Sequence, residues 1–282
     1  MSGNIVGNDA PLYQRAPATS AWIPHQSTRQ AGRRGTLRLL SYNIQTGISS
    51  QRYRHYVTRG LRHIMPHAQV VRNLDKISTL VGGYDIVALQ EVDAGSLRTG
   101  FINQTEYLAH RAAFPYWYSQ TNRRMGHLAQ VSIGLLSRLQ PRKVTEHRLP
   151  GPPGRGLMVV QLGDDEQSLH LFILHLSLGS RARRRQLCYV GERLRDCRHA
   201  IVMGDFNAPM DSPEMRTLIA GTHLRTPGTR INTFPSWRPQ RGLDHILVSE
   251  GLDVLTTRVM DQRFSDHLPL CTEVRLPEGM ML

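Results

Sequence analysis

A chain of 282 residues with 40% hydrophobic content is long enough to bury a substantial core and to fold unaided as one large domain. Its net charge of +13, carried almost wholly by arginine, points to an acidic partner such as nucleic acid, an anionic membrane surface or a phosphorylated metabolite. The 3 cysteines lack C-x-x-C spacing and argue against a disulfide framework or a structural zinc site. With no leader pattern and no apolar run near the roughly 18 residues of a membrane span, a soluble cytoplasmic protein is expected.

Residues 1–35 are rich in Ser, Gly, Pro, Gln and Arg without periodicity and read as a mobile basic arm. From Thr36 onward β-like apolar runs alternate with helical stretches. Leu37 to Tyr42 and Asp85 to Leu89 read as buried strands, joined by a helix whose apolar stripe is Val70, Leu74, Ile77 and Val81. Further strands are expected at Val131 to Leu136, Leu157 to Leu162, Leu169 to Leu174, Ala200 to Met203, Leu243 to Val248 and Leu268 to Val274. The breaks at Pro150 to Gly154 and at Pro227-Gly228 read as loops inside one domain, because strand patterns resume on both sides. A short tail, 277–282, follows. Eight or more strands with a few helices imply a layered sheet structure.

Polar residues collect where these strands end. Asn43 follows Leu39-Leu40-Ser41-Tyr42, Glu91 follows Ile86 to Gln90, and His175 closes Leu171 to Leu174. Asp205 and Asn207 follow Ile201 to Gly204, and Leu243-Asp244-His245 and Ser265-Asp266-His267 come near the C-terminus. A single carboxylate after a strand is commonly a cap or turn residue. Several together crowd negative charge, which a cation must neutralise, and oxygen donors with added imidazole favour Mg²⁺ or Mn²⁺. A hard cation beside His and Asp suits phosphoryl chemistry.

The segments S-Y-N-I-Q from Ser41, L-Q-E-V-D from Leu89, H-L-S from His175, G-D-F-N from Gly204, L-D-H-I-L from Leu243 and S-D-H-L-P from Ser265 resemble, in order, the motif series of the endonuclease/exonuclease/phosphatase (DNase I-like) superfamily. The resemblance spans residues 37–276. It implies a four-layer α/β/β/α sandwich of two packed, mainly antiparallel β-sheets flanked by helices. It also implies a Mg²⁺-dependent phosphodiesterase. Glu91 is then the main metal ligand, Asn43 holds metal or phosphate, and Asp266 is the second metal-site carboxylate. Asp205 orients or deprotonates the attacking water, and Asn207 donates its amide to the phosphate oxygen that gains charge. His267 meets the scissile phosphate or assists the leaving group, and Asp244 orients His267. His175 resembles the histidine of the DNase I and sphingomyelinase branches.

Arg181, Arg184 and Arg185 share a helical face at i, i+3 and i+4, and serve either as a substrate surface or as a solvated face. Arg155 is placed to reach a substrate phosphate. Phe114 to Tyr118 reads as core, whereas Trp237, amid Pro and Arg, reads as a substrate contact. The expected activity is nuclease action on DNA or RNA. A phospholipid head group, phosphoinositide or small phosphate ester is the alternative, and a non-catalytic binding protein ranks third. No membrane-docking apolar hairpin is evident in the sequence, and no obligate protein partner is implied.

Overall fold

The computed structural model describes residues 35–47, 67–164, 167–226 and 231–282. The expected basic arm, Gly35 apart, and the Pro227-Gly228 break lie outside the described residues. In chain order the main elements are β1 (Thr36–Asn43), α1 (His67–Val81), β2 (Ile86–Asp93), α2 (Gln104–Arg111), β3 (Tyr116–Met125), β4 (Ala129–Ser137), β5 (Lys143–Arg148) and β6 (Gly156–Leu162). They continue with β7 (Leu169–His175), α3 (Ser180–Leu194), β8 (His199–Asp205), α4 (Pro213–Ala220), β9 (Leu224–Arg225), β10 (Asp244–Ser249), β11 (Asp253–Val259) and β12 (Leu270–Arg275).

Two 6-stranded sheets result, ordered β11-β12-β1-β2-β4-β3 and β5-β6-β7-β8-β10-β9. Each has one parallel pair at its centre, β1 with β2 and β7 with β8, and antiparallel pairing elsewhere. A parallel pair needs a long crossover, and α1 and α3 supply it. The two halves therefore share a plan that no repeated sequence announces.

Period-2 alternation decides which layer each strand residue enters. On β1, Leu37 and Leu39 join β2, β4, β6, β7 and β8 side chains in a core between the sheets, while Leu40 and Tyr42 pack toward α1. On β8, Ile201 and Met203 face the other sheet, while Ala200 and Val202 meet α3 and α4 side chains such as Leu187, Val190 and Met215. Three apolar cores thus separate four layers, the α/β/β/α sandwich that the motif series implies.

The strands anticipated from sequence form the interior of both sheets, whereas β3, β5, β9 and β11 are the sheet edges. Edge strands bury little and carry mixed polarity, as in K-V-T-E-H-R of β5, so an apolar run does not mark them. Phe114 is buried, and Trp117 and Tyr118 pack partly against the cores as β3 begins. Residues 277–282 do not form a free tail: Met280 is buried and Leu282 packs against the inter-sheet core. No described helix is long and apolar enough to cross a membrane.

Gly204 is required where β8 approaches β7. Its φ is +148°, and a Cβ built there meets the Leu174 carbonyl oxygen at 2.0 Å. Gly204→Ala is expected to cost at least about 3 kcal/mol, because the backbones themselves must separate. Urea denaturation would measure this as a lower midpoint at unchanged slope.

Candidate active site

The central parallel strands deliver the polar residues to one end of the sandwich. Across the second sheet, register alone aligns them: Gly156 pairs with His175, His175 with Asp205, and Asp205 with Asp244. On β7, β8 and β10 the side chains of His175, Asp205 and Asp244 continue the alternation of Ile173, Met203 and Ile246, so they face the other sheet. Asn43 continues Leu37, Leu39 and Ser41 on β1 and meets them, its Nδ2 donating to Asp205 Oδ2 at 3.1 Å.

His245 shows the same rule in reverse. Adjacent to Asp244, it points to the opposite face, where its ring packs edge-on against Phe206 at 5.2 Å and its Nε2 lies 2.8 Å from the Ala208 carbonyl.

Glu91 departs from the alternation. An unbroken β2 would send it toward the helices with Val87 and Leu89, but the pairing with β4 shifts between Leu89 and Val92, and Glu91 has φ 55°. A β-bulge of this kind re-aims a side chain. The local strain, about 1–3 kcal/mol for such a conformation, is held in place by Ile44 N donating to Gln90 O at 3.0 Å and Thr46 Oγ1 donating to Glu91 O at 3.1 Å. The Glu91 carboxylate accordingly lies 3.8 Å from His175 Nε2.

The S-D-H loop enters from β12's side, anchored by Asn73 of α1, whose Nδ2 donates to Phe264 O at 2.8 Å and Gly47 O at 3.0 Å. His267 Nδ1 is 2.8 Å from Asp244 Oδ2, and its Nε2 lies 3.9 Å from Asp205 Oδ2. Burial opposes the imidazolium, but the Asp244, Asp205 and Asp266 carboxylates outweigh it and hold His267 well above its ordinary pKa. His175 is the converse: burial, with the positive charges of Arg155 and His267, drives its pKa well down and leaves the ring neutral. Two histidines a few ångströms from one carboxylate are therefore placed in opposite charge states.

Burial also raises the Asp205 carboxyl to about 7, with Asp244 adding to the shift and His267, Asn207 and Asn43 opposing it. The Asp266 carboxyl rises to about 6 through burial and the Glu91 charge, against the pull of His267. Asp205 Oδ1 accepts the Asn207 backbone N–H at 2.9 Å, and the Asn207 side-chain amide donates to Leu176 O at 2.9 Å.

Arg155 projects into the cleft just before β6. Its Nη1 lies 2.8 Å from His175 Nδ1 and also contacts Nε2, and its charge is felt by Glu91 and Asp205. Arg181, Arg184 and Arg185 are exposed on α3 and take no part in the site's hydrogen bonds. The neighbouring Arg183 instead turns inward to Glu214, with Nη2 at 2.7 Å from Oε1.

Trp237 is half-buried and also stays outside the site's hydrogen bonds. Two other residues of its loop reach the centre: Thr233 Oγ1 donates to Asp244 Oδ2, and the Phe234 ring lies 4.9 Å from that of His267. The T-F-P-S-W stretch announces a rigid aromatic loop, but nothing in its spacing identifies Thr233 and Phe234 as the contacts.

The donors suit a hard cation. Asp205 and Asp244 present carboxylate oxygens within 4.8 Å of each other, and His267, held as a cation, stands beside them as a charge partner and not as a ligand. Asp244 Oδ1 is buried without a partner, and the Asp205 and Asp266 carboxyls are both unfavourable as uncompensated anions.

A two-sheet sandwich with buried Asp, His and Asn at the ends of its central strands defines a phosphoester hydrolase. The family model described as Endonuclease/Exonuclease/phosphatase family matches residues 40–267, and the chain belongs to that family. Among solved structures, an endonuclease/exonuclease/phosphatase from Beutenbergia cavernae has TM-score 0.66 and 19% identity, covering 86% of this chain and 72% of that one. The human Nocturnin catalytic domain with bound sulfate has TM-score 0.64 and 17% identity, with 86% and 94% covered. Sphingomyelinase C from Streptomyces griseocarneus has TM-score 0.59 and 17% identity, with 84% and 99% covered. These likenesses show a shared fold. No curated protein matches the sequence.

Proposed function

We propose that the protein is a Mg²⁺-dependent phosphodiesterase that breaks a P–O bond by in-line attack of water. The observation that supports this most is the pairing of a raised-pKa Asp205 with an Asp244-held, charged His267 at 3.9 Å. Asp205 accepts the proton of the attacking water, and its pKa near neutrality suits a group that must take up and release protons. His267, kept cationic, stabilises the charge that develops on phosphate or leaving group. Asn207 and Asn43 position oxygen atoms around the phosphorus, and Arg155 adds a fixed positive charge at the mouth.

Glu91, Asp266 and Asn43 would hold the cation, with Asp205 and Asp244 nearby; when bound, Mg²⁺ neutralises the oxyanion and polarises the P–O bond. Mn²⁺ fits the same oxygen donors.

Nucleic acid is the substrate class that the +13 charge supports. A phospholipid head group is the second reading, supported by exposed apolar side chains that follow the strand ends carrying the site, such as Leu97 and Phe101 after β2 and Leu178 after β7. Incubation with plasmid, single-stranded DNA, RNA and phospholipid, with Mg²⁺ or EDTA and beside Asp205→Asn, separates these. Absence of any Mg²⁺-dependent cleavage would refute the hydrolase mechanism.

A metal-linked pH effect is also expected. Asp205, facing His267, His175, Asp244 and Asn43, and Asp266, facing His267 and Glu91, bind protons more tightly folded than unfolded. Their contribution to metal-free stability is therefore present at low pH and lost as pH rises through about 6 to 7. The low pKa of His175 works in the opposite direction below its ordinary range. Mg²⁺ competes with the carboxyl protons, so its thermal shift should be small near pH 5 and grow toward pH 8. A shift that shrinks with rising pH would contradict the assignment.

A further inference from the structure

Seven large apolar side chains are exposed among the described residues, and five of these lie at the end of the sandwich where the cleft opens. Leu97 (55% exposed) and Phe101 (65%) follow β2, Met125 (40%) ends β3, Leu128 (64%) lies in the β3–β4 turn, and Leu178 (75%) lies between β7 and α3. The first two segments are joined by Leu97 N donating to His127 O at 2.9 Å and Arg98 N to Leu128 O at 3.4 Å. Since Asp93 pairs with Val131, the turn projects only about 10–15 Å past Glu91 at ordinary strand rise.

This rim is built to be rigid. The buried Asp93 carboxylate accepts Gly95 N at 2.9 Å, Ser96 N at 2.8 Å, Gln130 N at 3.2 Å and Arg98 Nε at 2.5 Å, so both rim segments hang from one anion. Arg98 is consumed in that contact. Arg123 and Arg124, beside Met125, are exposed and make no ion pair among the described residues. The sequence suggests no such hairpin because its apolar residues are isolated, one or two per segment, and only the fold assembles them.

An apolar cluster held rigidly in water marks an interaction surface. Exposed apolar side chains beside the exposed Arg123 and Arg124 match the interfacial layer of an anionic bilayer, where leucine and phenylalanine enter the acyl boundary and arginine meets phosphate. Nucleic acid would use the cations and stack on Phe101, but would leave Leu97, Leu128 and Leu178 without partners.

We propose that the Leu97, Phe101, Met125, Leu128 and Leu178 rim, with Arg123 and Arg124, docks the protein on an anionic lipid bilayer and turns the cleft toward phosphodiesters of the head-group layer. The substrate part rests on the second, phospholipid, reading of the phosphodiesterase; the docking part does not.

Co-sedimentation of the full chain with vesicles of phosphatidylcholine alone or mixed with phosphatidylglycerol is the test. Binding to the mixed vesicles is expected, weakened about tenfold or more by Leu97→Ser/Phe101→Ser/Leu128→Ser and severalfold by Arg123→Gln/Arg124→Gln. Leu255→Ser, on the edge strand β11, should bind like the parent, and all variants should turn over a soluble chromogenic phosphodiester equally, which shows the fold and centre intact. Equal vesicle binding by parent and triple variant overturns the proposal. So does loss of plasmid cleavage in Arg123→Gln/Arg124→Gln without vesicle binding by the parent, which would make the rim a nucleic-acid surface. Vesicle binding without turnover of any diester would support docking while refuting the hydrolase reading.

Discussion

Asp205→Asn is expected to lower kcat by about 10³-fold with little change in KM, because it removes the group that takes the water's proton while leaving the cleft's shape. An amide at this position can still accept one hydrogen bond, from Asn43 Nδ2 or the Asn207 backbone N–H, which now meet the carboxylate at 3.1 and 2.9 Å. A second readout distinguishes chemistry from mere disruption. The Asp205 carboxyl, at about 7 folded against the ordinary value of about 4, should make the parent's metal-free stability fall between about pH 4 and pH 7 and level off above, and the variant should lose that component. Single-turnover kinetics and a pH series of thermal melts check both. A variant that retained more than a tenth of parental kcat would exclude Asp205 as the base.

Asp244→Asn is expected to reduce kcat by about 10³- to 10⁴-fold, again with substrate binding largely kept. Asp244 is the first of the carboxylates that hold His267 cationic against burial, and Thr233 fixes its orientation. An amide removes the charge, so His267 should titrate nearer the ordinary imidazole value of about 6.5. Residual activity should then fall as pH rises through neutrality, whereas the parent keeps its imidazolium across that range. NMR titration of His267 and the pH dependence of kcat measure the shift. His245→Gln is the contrast: its ring faces Phe206 and Ala208 on the helix side, so the loss should appear in stability rather than turnover. Equal loss of turnover from both substitutions would mean that the wrong histidine has been placed in the centre.

The family follows from the sequence because its six segments end interior strands, and interior strands are the part of a sheet that hydrophobic periodicity records. The alternation on β7, β8 and β10 even fixes the face on which His175, Asp205 and Asp244 stand. Their convergence required only that the strands be neighbours. The edge strands escaped detection because a half-solvated strand needs no apolar run.

Backbone departures from regularity and contacts across chain distance were decided elsewhere. Glu91 reaches the cleft through a bulge with positive φ, which a two-residue period misassigns to the helix side. The R-A-R-R-R run sorts by helical phase, with Arg183 inward to Glu214 and its neighbours exposed, but only packing against α4 supplies the acid that makes burial tolerable. Thr233 and Phe234 meet Asp244 and His267 through loop closure, and the apolar rim gathers residues from three separated segments. Sequence determined the residue types and their strand phase, because these are local properties of the chain. Tertiary structure decided charge state, orientation and surface, because burial and neighbouring charge exist only once distant segments meet.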